Sequence, residues 1–154
     1  MARLEHELMR FLLRATRDRE DSLDLFQETW LRAYRSYPKL RADDGLRPWV
    51  FSIAANLCRN RARDRMRRAR VIANESGELA ASADRFALAA RGSPDRVLNL
   101  KAAIARLPGN QGKALAMRKF AGLEYAEIGA ALNCSPQSAR ASVYQALRKL
   151  KAAQ

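Results

Sequence analysis

Histidine and cysteine are scarce in this chain of 154 residues, which contains one histidine, His6, and two cysteines, Cys58 and Cys134. A structural zinc site uses about four such ligands, so this set is too small to form one. The two cysteines lie far apart, each within a helical pattern, and we interpret them as reduced, packed thiols rather than as a disulfide. The sequence therefore predicts no metal site.

Catalytic signatures are missing as well. The chain has no glycine-rich phosphate loop, no Ser–His or Cys–His candidate and no carboxylate pair isolated among apolar residues. We therefore predict that the protein is not an enzyme, with no catalytic residues and no cofactor. No segment approaches the roughly 20 apolar residues that cross a bilayer, and an N-terminus with Glu5, His6 and Glu7 does not fit a signal peptide. These features predict a cytoplasmic protein without membrane insertion.

Acidic residues are outnumbered by basic ones, with 16 Asp and Glu against 29 Lys and Arg, and the net charge is +13. An excess of this size favours polyanionic partners, above all nucleic acids. The excess is concentrated in residues 1–70 and 99–154, on either side of a nearly neutral stretch.

The fold class predicted from composition and periodicity is all-α. Aromatic residues make up 7% of the chain, and alanine, leucine and arginine recur at the expense of β-branched runs. Residues 71–94 lose helical periodicity and end in Gly92-Ser93-Pro94, which is typical of a flexible linker. We therefore predict two small helical domains, residues 1–70 and 95–154, joined by a linker over residues 71–94.

Three helices are predicted in the first domain, because apolar residues recur every three or four positions. Pro38 ends the second helix, and Pro48 fits the first turn of the third. The predicted inward positions are Leu4, Leu8, Phe11, Leu12 and Ala15 on the first helix, Leu23, Phe26, Trp30, Ala33 or Tyr34, and Tyr37 on the second, and Trp49, Val50, Ile53, Ala54 and Leu57 on the third.

A helix-turn-helix is predicted at the end of the chain, with a short helix at 124–132 and a longer basic helix at 135–151. Ser135 is a good N-cap and Pro136 a good first helical residue, and Gly129 lies where the two helices would cross. The predicted inner face of the second helix consists of Ala139, Val143, Ala146, Leu147 and Leu150.

The outward face of that last helix carries side chains that can read DNA. In a helix-turn-helix the second helix enters the major groove. Arg140 could donate two hydrogen bonds to guanine, and Gln137 could pair with adenine. The other outward residues are Ser138, Ala141, Tyr144 and Arg148. The alternative is an ordinary helical hairpin with a solvated basic face.

A second candidate surface lies on the predicted third helix. Asn56, Asn60, Arg63 and Arg67 follow helical spacing and share one face. Asparagine amides can read base edges, and arginines can follow phosphates. Seven arginines occur in residues 59–70, beginning with Arg59, which is more than a solvated helix end requires.

A third surface lies on the predicted second helix and consists of Asp24, Gln27, Glu28, Leu31 and Arg35, on the side away from Phe26 and Trp30. From the pattern alone, a mixture of this kind is a solvated helix face.

Two segments resemble extracytoplasmic-function RNA polymerase sigma factors. The first contains Asp24-Leu25-Phe26-Gln27-Glu28-Thr29 and, further on, Trp49-Val50-Phe51-Ser52-Ile53-Ala54-Ala55-Asn56, and it is similar to region two of that family. The second contains Gly122-Leu123-Glu124-Tyr125-Ala126-Glu127-Ile128 and is similar to region four. Together they cover almost all of the chain outside the linker, in the order and spacing of the family.

This resemblance implies roles and partners. Asp24, Gln27, Glu28, Leu31 and Arg35 match the face that docks on the clamp helices of the largest polymerase subunit. The implied partners also include the flap of the second-largest subunit, promoter DNA and an anti-sigma factor. Positions that match −10 element binding are Leu40, Arg41, Asp43, Asp44, Asn56, Arg59, Asn60 and Arg63. Positions that match −35 element binding are Gln137, Ser138, Arg140, Tyr144 and Arg148.

Some residues depart from those commonest in the family: Leu40, Gly112, Gly129, Ala139 and Ser142. The last two replace a valine and an arginine of the recognition helix, which predicts an unusual −35 contact.

Two alternatives remain open from the residues themselves. A stand-alone helix-turn-helix regulator would explain residues 95–154, but it assigns no role to the Asp24–Arg35 face or to Asn56 and Asn60. A basic RNA-binding or scaffold protein would bind any polyanion with a steep salt dependence and little sequence preference.

Overall fold

Six α-helices with defined bounds run through the part of the chain that the computed structural model describes, which is residues 2–41, 45–75, 103–104 and 106–152. Every element with defined bounds in these ranges is helical, and the all-α prediction is confirmed. The elements are α1 (Ala2–Thr16), α2 (Arg19–Ser36), a short 3-10 helix (Tyr37–Lys39), α3 (Leu46–Glu75), α4 (Gln111–Ala116), a π-helical turn (Met117–Ala121), α5 (Tyr125–Leu132) and α6 (Pro136–Ala152).

α3 is longer than the pattern predicts, because it continues to Glu75 through the first five residues of the predicted linker. Its last turns are mostly exposed, so no apolar periodicity marked them in the sequence. The start of the second predicted domain lies mostly outside the described residues, which include only 103–104 and 106–107 of residues 95–107.

The core of the first three helices forms where α1 crosses α3. Leu8, Phe11 and Leu12 of α1 are buried, as predicted, and so is Val50 of α3. Phe51 is fully buried although its inward position was not predicted. Its ring meets that of Phe11 edge to face, with centroids 5.4 Å apart and planes at 88°, a favourable aromatic geometry.

The inward face of α2 differs from the prediction. Leu23 and Tyr37 are 44% and 62% exposed, so the prediction for these two residues was wrong. Phe26 and Trp30 lie at the edge of the core and are half-buried. The fully buried stripe consists of Ser22, Leu25, Thr29 and Ala33.

Two hydrogen-bonded hydroxyl groups explain why Ser22 and Thr29 can belong to the buried stripe of α2. Ser22 Oγ donates to the Asp18 carbonyl and Thr29 Oγ1 to the Leu25 carbonyl, each at 2.6 Å. A buried hydroxyl costs little once it is hydrogen-bonded, so small polar side chains can line a helix contact. Apolar periodicity therefore failed to identify this stripe.

The second half of the chain packs α4, α5 and α6 around Leu115, Met117, Leu123 and Ile128, all buried. A left-handed Gly122, with φ 67°, ends the π-helical turn. On α6 the buried residues are Ala139, Val143, Ala146 and Leu150, as predicted.

Leu147 was also predicted to face inward, but it is 42% exposed and the prediction was wrong. The buried stripe of α6 is narrow, because Ala139 and Ala146 bring the helix close to its neighbours.

Gly129 makes the crossing of α5 and α6 possible. A Cβ built on Gly129 would lie 2.6 Å from the Cys134 carbonyl oxygen and 3.2 Å from the carbonyl carbon of Ser135. The turn is completed by Asn133 in the left-handed conformation, and the Cys134 N–H donates to the Gly129 carbonyl at 2.9 Å. The helix-turn-helix predicted from the sequence is therefore present, with glycine required at its crossing.

Candidate nucleic-acid interface

The outer face of α6 is open along its length. Gln137, Arg140, Tyr144 and Arg148 are all exposed, and Tyr144 shows 64% of its surface. These side chains lie opposite the buried stripe of α6, where a recognition helix would meet the major groove.

The start of α6 is fixed by its cap. The Ser138 backbone N–H donates to Ser135 Oγ at 3.1 Å, as an N-cap serine should accept. Ser138 is exposed, and its own hydroxyl lies 3.1 Å from that of Ser135. Ala139 is fully buried, so its side chain packs against the neighbouring helices and does not reach the outer face of α6.

A shallow hollow on α3 brings together Asn60, Arg63, Asp64 and Arg67. Asn60, Arg63 and Arg67 are exposed, whereas Asn56 one turn earlier is half-buried. The shared face predicted from helical spacing therefore exists, with an amide at one end and cations beside it. Arg67 also pairs with Asp64 at 2.9 Å on the same helix.

Arg59 does not lie on that face. Its Nη2 donates to the Leu107 carbonyl and its Nη1 to the Gly109 carbonyl, each at 2.5 Å. Burial, and secondly the nearby charge of Arg63, lower the pKa of Arg59 below its ordinary value. A residue predicted to contact DNA is therefore held by the second half of the chain in this structure.

Two further arginines of the same run support the fold. Arg61 Nη1 lies 2.9 Å from Asp21 Oδ1, and Arg65 is hydrogen-bonded to the other oxygen of that carboxylate. The Asp21 side chain is 14% exposed, so these pairs join α2 to α3 in a partly desolvated setting. The excess of arginine in residues 59–70 thus has an intramolecular use that the sequence did not indicate.

The segment after α2 carries the first part of the predicted −10 loop. Leu40 is half-buried, and its N–H donates to the Tyr37 carbonyl at 3.0 Å to end the 3-10 helix. Arg41 is exposed. Asp43 and Asp44 lie outside the described residues.

The outer face of α2 carries the residues matched to polymerase binding. Asp24, Gln27 and Arg35 are exposed, and Leu31 shows 47% of its surface. Glu28 pairs with Arg32 one turn later at 2.8 Å. This surface combines an exposed leucine with charges of both signs.

Sequence reasoning missed Arg47, which joins three helices. Its Nε lies 2.7 Å from Glu7 Oε2 on α1, and its Nη1 lies 2.5 Å from Glu127 Oε1 on α5. Its guanidinium also lies 5.6 Å from the centre of the Phe51 ring. The partners are 40 and 80 residues away in the chain, so no local pattern could have indicated the contact.

The presence of glycine at position 112 is likewise explained by a tertiary contact that the sequence pattern does not show. A Cβ at this position would lie 2.9 Å from the Ile104 carbonyl oxygen and 3.4 Å from Arg59 Nη1. Gly112 is the second residue of α4, and the absence of a side chain there permits the close approach of residue 104 and of Arg59.

Within the described ranges, no helix combines the length and the apolar character needed to span a membrane.

Comparison with known proteins gives matches over both halves of the chain. The family descriptions "Sigma-70 region 2" and "Sigma-70, region 4" match residues 1–68 and 98–150. The RNA polymerase sigma factor CarQ of Myxococcus xanthus is 30% identical over 146 residues, covering 92% of this chain and 79% of CarQ. The ECF RNA polymerase sigma factor SigM of Bacillus subtilis is 29% identical, covering 96% of this chain and 88% of SigM.

A solved structure has a similar fold. The sigma factor RpoE from Bartonella quintana, crystallised in complex with the anti-sigma factor NepR, superposes with a TM-score of 0.54 at 20% sequence identity. The match covers 97% of this chain and 91% of RpoE.

Proposed function

Because this chain belongs to the extracytoplasmic-function RNA polymerase sigma factors, which bind core RNA polymerase and direct promoter recognition, DNA melting and transcription initiation, we propose that three of its surfaces divide this work. The outer face of α2 binds polymerase, the face of α3 binds the −10 element, and the outer face of α6 binds the −35 element. One observation carries the proposal: each set of side chains lies mostly exposed, on the side of its helix away from the core.

The proposed polymerase contact combines an exposed apolar centre, Leu31, with Asp24, Gln27, Glu28 and Arg35 around it. Protein interfaces commonly have an apolar core within a polar rim. The partner would be the clamp helices of the largest subunit, and residues 95–154 would meet the flap of the second-largest subunit.

The proposed −10 contact uses two kinds of chemistry on α3. Asn56 and Asn60 carry amides that can hydrogen-bond base edges, whereas Arg63 can bind the backbone. The loop from Leu40 to Asp44 would form the pocket for a base flipped out of the non-template strand. Flipping costs a few kcal/mol, which pocket contacts and cations must offset.

The proposed −35 contact places α6 in the major groove, with Gln137 and Arg140 reading adenine and guanine. Ser138 and Tyr144 would contact the same groove, and Arg148 would bind a phosphate. We assign no catalytic step or cofactor to the chain itself.

We expect the protein in the cytoplasm, where core polymerase acts. An anti-sigma factor is a further proposed partner, by analogy with the complex of RpoE and NepR.

The experiment that tests this division is binding of the full chain to bacterial core RNA polymerase, followed by run-off transcription from a pool of promoter fragments. Asn60→Ala should weaken discrimination among −10 sequences while polymerase binding stays unchanged, and Leu31→Asp should weaken polymerase binding. Arg10→Ala, at an exposed position of α1, is the control for both. Binding of duplex DNA without any polymerase binding would instead identify a stand-alone helix-turn-helix regulator.

A further inference from the structure

The end of α3 carries a row of exposed cations. Three of the seven arginines in residues 59–70 hold the fold together, through Asp21 and through the carbonyls of Leu107 and Gly109. The remaining four are exposed: Arg63, Arg67, Arg68 and Arg70. Asp64 is the only carboxylate in residues 59–74, so this helix end has a large excess of positive charge.

Most of these exposed residues continue the face of α3 that begins with Asn60. At 3.6 residues per turn, four side chains fall within an arc of about 80° measured from that of Asn60: Arg63, Arg67, Arg70 and Asn74. All four are exposed. From residue 60 to residue 74 the helix rises about 21 Å, which equals the length of about six base pairs of duplex DNA at ~3.4 Å each.

The last turns of this face lie beyond the part of the chain that matches Sigma-70 region 2, which ends at residue 68. α3 continues to Glu75, yet residues 70–72 and 74 are exposed, and Val71 shows 49% of its surface. Like charges three or four residues apart, such as Arg63 and Arg67, also destabilise a helix. Core packing therefore does not explain this extension, whereas a bound polyanion would relieve the repulsion along it.

The ion pair between Arg67 and Asp64 leaves Arg67 available to a ligand. The two side chains are 78% and 51% exposed, and an exposed pair on one helix contributes little to stability. Asp64 opposes an anion on this face, but the arginines at 63, 67 and 70 outnumber it.

The chemistry of this face fits the phosphates of double-stranded DNA. Arginine can bind phosphate oxygens through two parallel hydrogen bonds, and an asparagine amide can donate to phosphate as well. Proteins that bind single strands add aromatic side chains on which the bases stack, and residues 60–74 contain none. The face is therefore better suited to a duplex than to a single strand.

The course of the chain indicates on which side of the −10 element this duplex lies. Elements named −10 and −35 are roughly 25 base pairs apart, which is about 85 Å at ~3.4 Å per base pair. The 27 residues from 76 to 102 can span at most about 90–97 Å. If the end of α3 pointed away from the −35 element, this connection would also have to cover the length of α3 beyond Asn60, about 20 Å more. The opposite direction leaves the connection slack.

We propose that the end of α3 is an additional DNA contact, in which Arg67, Arg70 and Asn74 bind backbone phosphates of the duplex directly upstream of the −10 element. The inference rests on the proposed function, because it takes Asn56 and Asn60 as the residues that read that element. Phosphate contacts fix the register and orientation of a protein on DNA without reading sequence. The extension therefore aligns α3 on the promoter while Asn60 reads a base.

The test uses holoenzyme assembled from core RNA polymerase and the full chain, with two versions of one promoter fragment obtained by run-off transcription. In both, the non-template strand of the −10 element is single-stranded. One version continues upstream as about ten base pairs of duplex, one helical turn, and the other ends at the upstream edge of the element. Fluorescence anisotropy at several salt concentrations measures binding.

Three single variants are compared. Arg67→Ala and Arg70→Ala each remove one proposed phosphate ligand. Arg68→Ala is the matched control, because it makes the same charge change at an exposed neighbour that points about 100° away from Arg67. Alanine is a strong helix former, so none of these changes should disturb α3.

On the fragment with the upstream duplex, we expect Arg67→Ala and Arg70→Ala each to bind roughly fivefold or more weakly than Arg68→Ala. Each should also lower the slope of log affinity against log salt by about 0.9, because one phosphate contact is lost. On the shorter fragment all three variants should bind alike.

Equal affinities of the three variants on the longer fragment would overturn the proposal, since only a general effect of charge would remain. A loss that persists on the shorter fragment would also overturn it, because the contact would then be to the single strand. Binding of the unmodified chain to core polymerase is measured separately. Its absence would refute the proposed function itself, a result that differs from holoenzyme formation with equal affinities.

Discussion

α3 and α6 both present basic faces, but they use their arginines differently. On α6, Arg140 and Arg148 are exposed and lie opposite the helix's own buried stripe. On α3, Arg59 binds carbonyls of the second half, and Arg61 binds Asp21 of α2. A run of arginines therefore indicates a nucleic-acid surface only where the fold leaves the side chains without another use.

The difference follows from the surroundings of each helix. α6 packs through one narrow stripe at the end of the chain, and its other faces meet solvent. α3 contacts α1, α2, α4 and α5, so most directions around it meet another helix. The four predictions below test this contrast.

Gly129→Ala should have the largest effect, because it would displace α6 and its whole exposed face. The new Cβ would lie 2.6 Å from the Cys134 carbonyl oxygen, which is a backbone atom and cannot rotate away. Although alanine favours a helix by about 1 kcal/mol, we expect a net loss of about 2–3 kcal/mol in the free energy of unfolding, measured by urea denaturation. Ala130→Ser, at the exposed next residue, should change it by less than about 0.5 kcal/mol.

Arg140→Ala tests whether the open face of α6 reads sequence. We expect a loss of about 1–3 kcal/mol in binding free energy, confined to one −35 base pair, in binding measurements on a set of single-base promoter variants. Arg148→Ala should instead weaken binding to all of them alike. A uniform loss for Arg140→Ala would show that it binds a phosphate.

Asp21→Asn tests whether Arg61 and Arg65 of α3 can bind nucleic acid once their intramolecular partner is removed. The change releases Arg61 and Arg65. We expect the free energy of unfolding to fall by only about 1 kcal/mol, because the pairs are partly exposed.

The two released cations should then steepen the salt dependence of single-strand binding by up to about two units of logarithmic slope, measured by anisotropy titrations. Asp64→Asn, whose partner Arg67 is already exposed, should leave the slope nearly unchanged. An unaltered slope for Asp21→Asn would mean that Arg61 and Arg65 cannot reach nucleic acid.

Lowering the pH should have the smallest effect. It acts on the ion pairs that Arg47 forms with Glu7 and Glu127, between the first three helices and the last three. Hydrogen bonding from Arg47, opposed by burial, lowers the pKa of Glu7 below its ordinary value of 4.5. Its contribution to stability is therefore complete at neutral pH and is lost as the pH falls through the lowered pKa.

We expect the radius of gyration to stay constant above pH 4.5 and to rise below it. Glu7→Gln should remove part of this response, whereas Glu5→Gln, at an exposed position on the same helix, should not. An identical response in both variants would assign the acid effect to other carboxylates.

Much of the fold could be predicted because local pattern and tertiary packing agree. The inward faces of α1 and of most of α6 follow a period that depends only on helix geometry. The turn between α5 and α6 is encoded by Gly129 and by the Ser135 cap. α2 could not be predicted this way, because Ser22 and Thr29 are polar by residue type yet satisfied within their own helix.

The candidate surfaces show the same distinction between what local spacing predicts and what tertiary packing decides. Helical spacing placed Asn60 and Arg63 on one face, and the structure confirms that placement. The same spacing places Arg61 on another face of α3, but the partner that it meets there, Asp21 of α2, could not be predicted from the sequence. The roles of these residues in polymerase and promoter binding remain predictions.

The sequence by itself determined the helical architecture, the helix-turn-helix and the family, because these depend on the order and spacing of residues along one stretch of chain. Only the tertiary structure decided that Arg47 joins α1 to α5 and that Arg59 binds the second half. These contacts span 40 to 80 residues. Local periodicity shows which way a side chain points, but the partner that it meets depends on how distant helices pack.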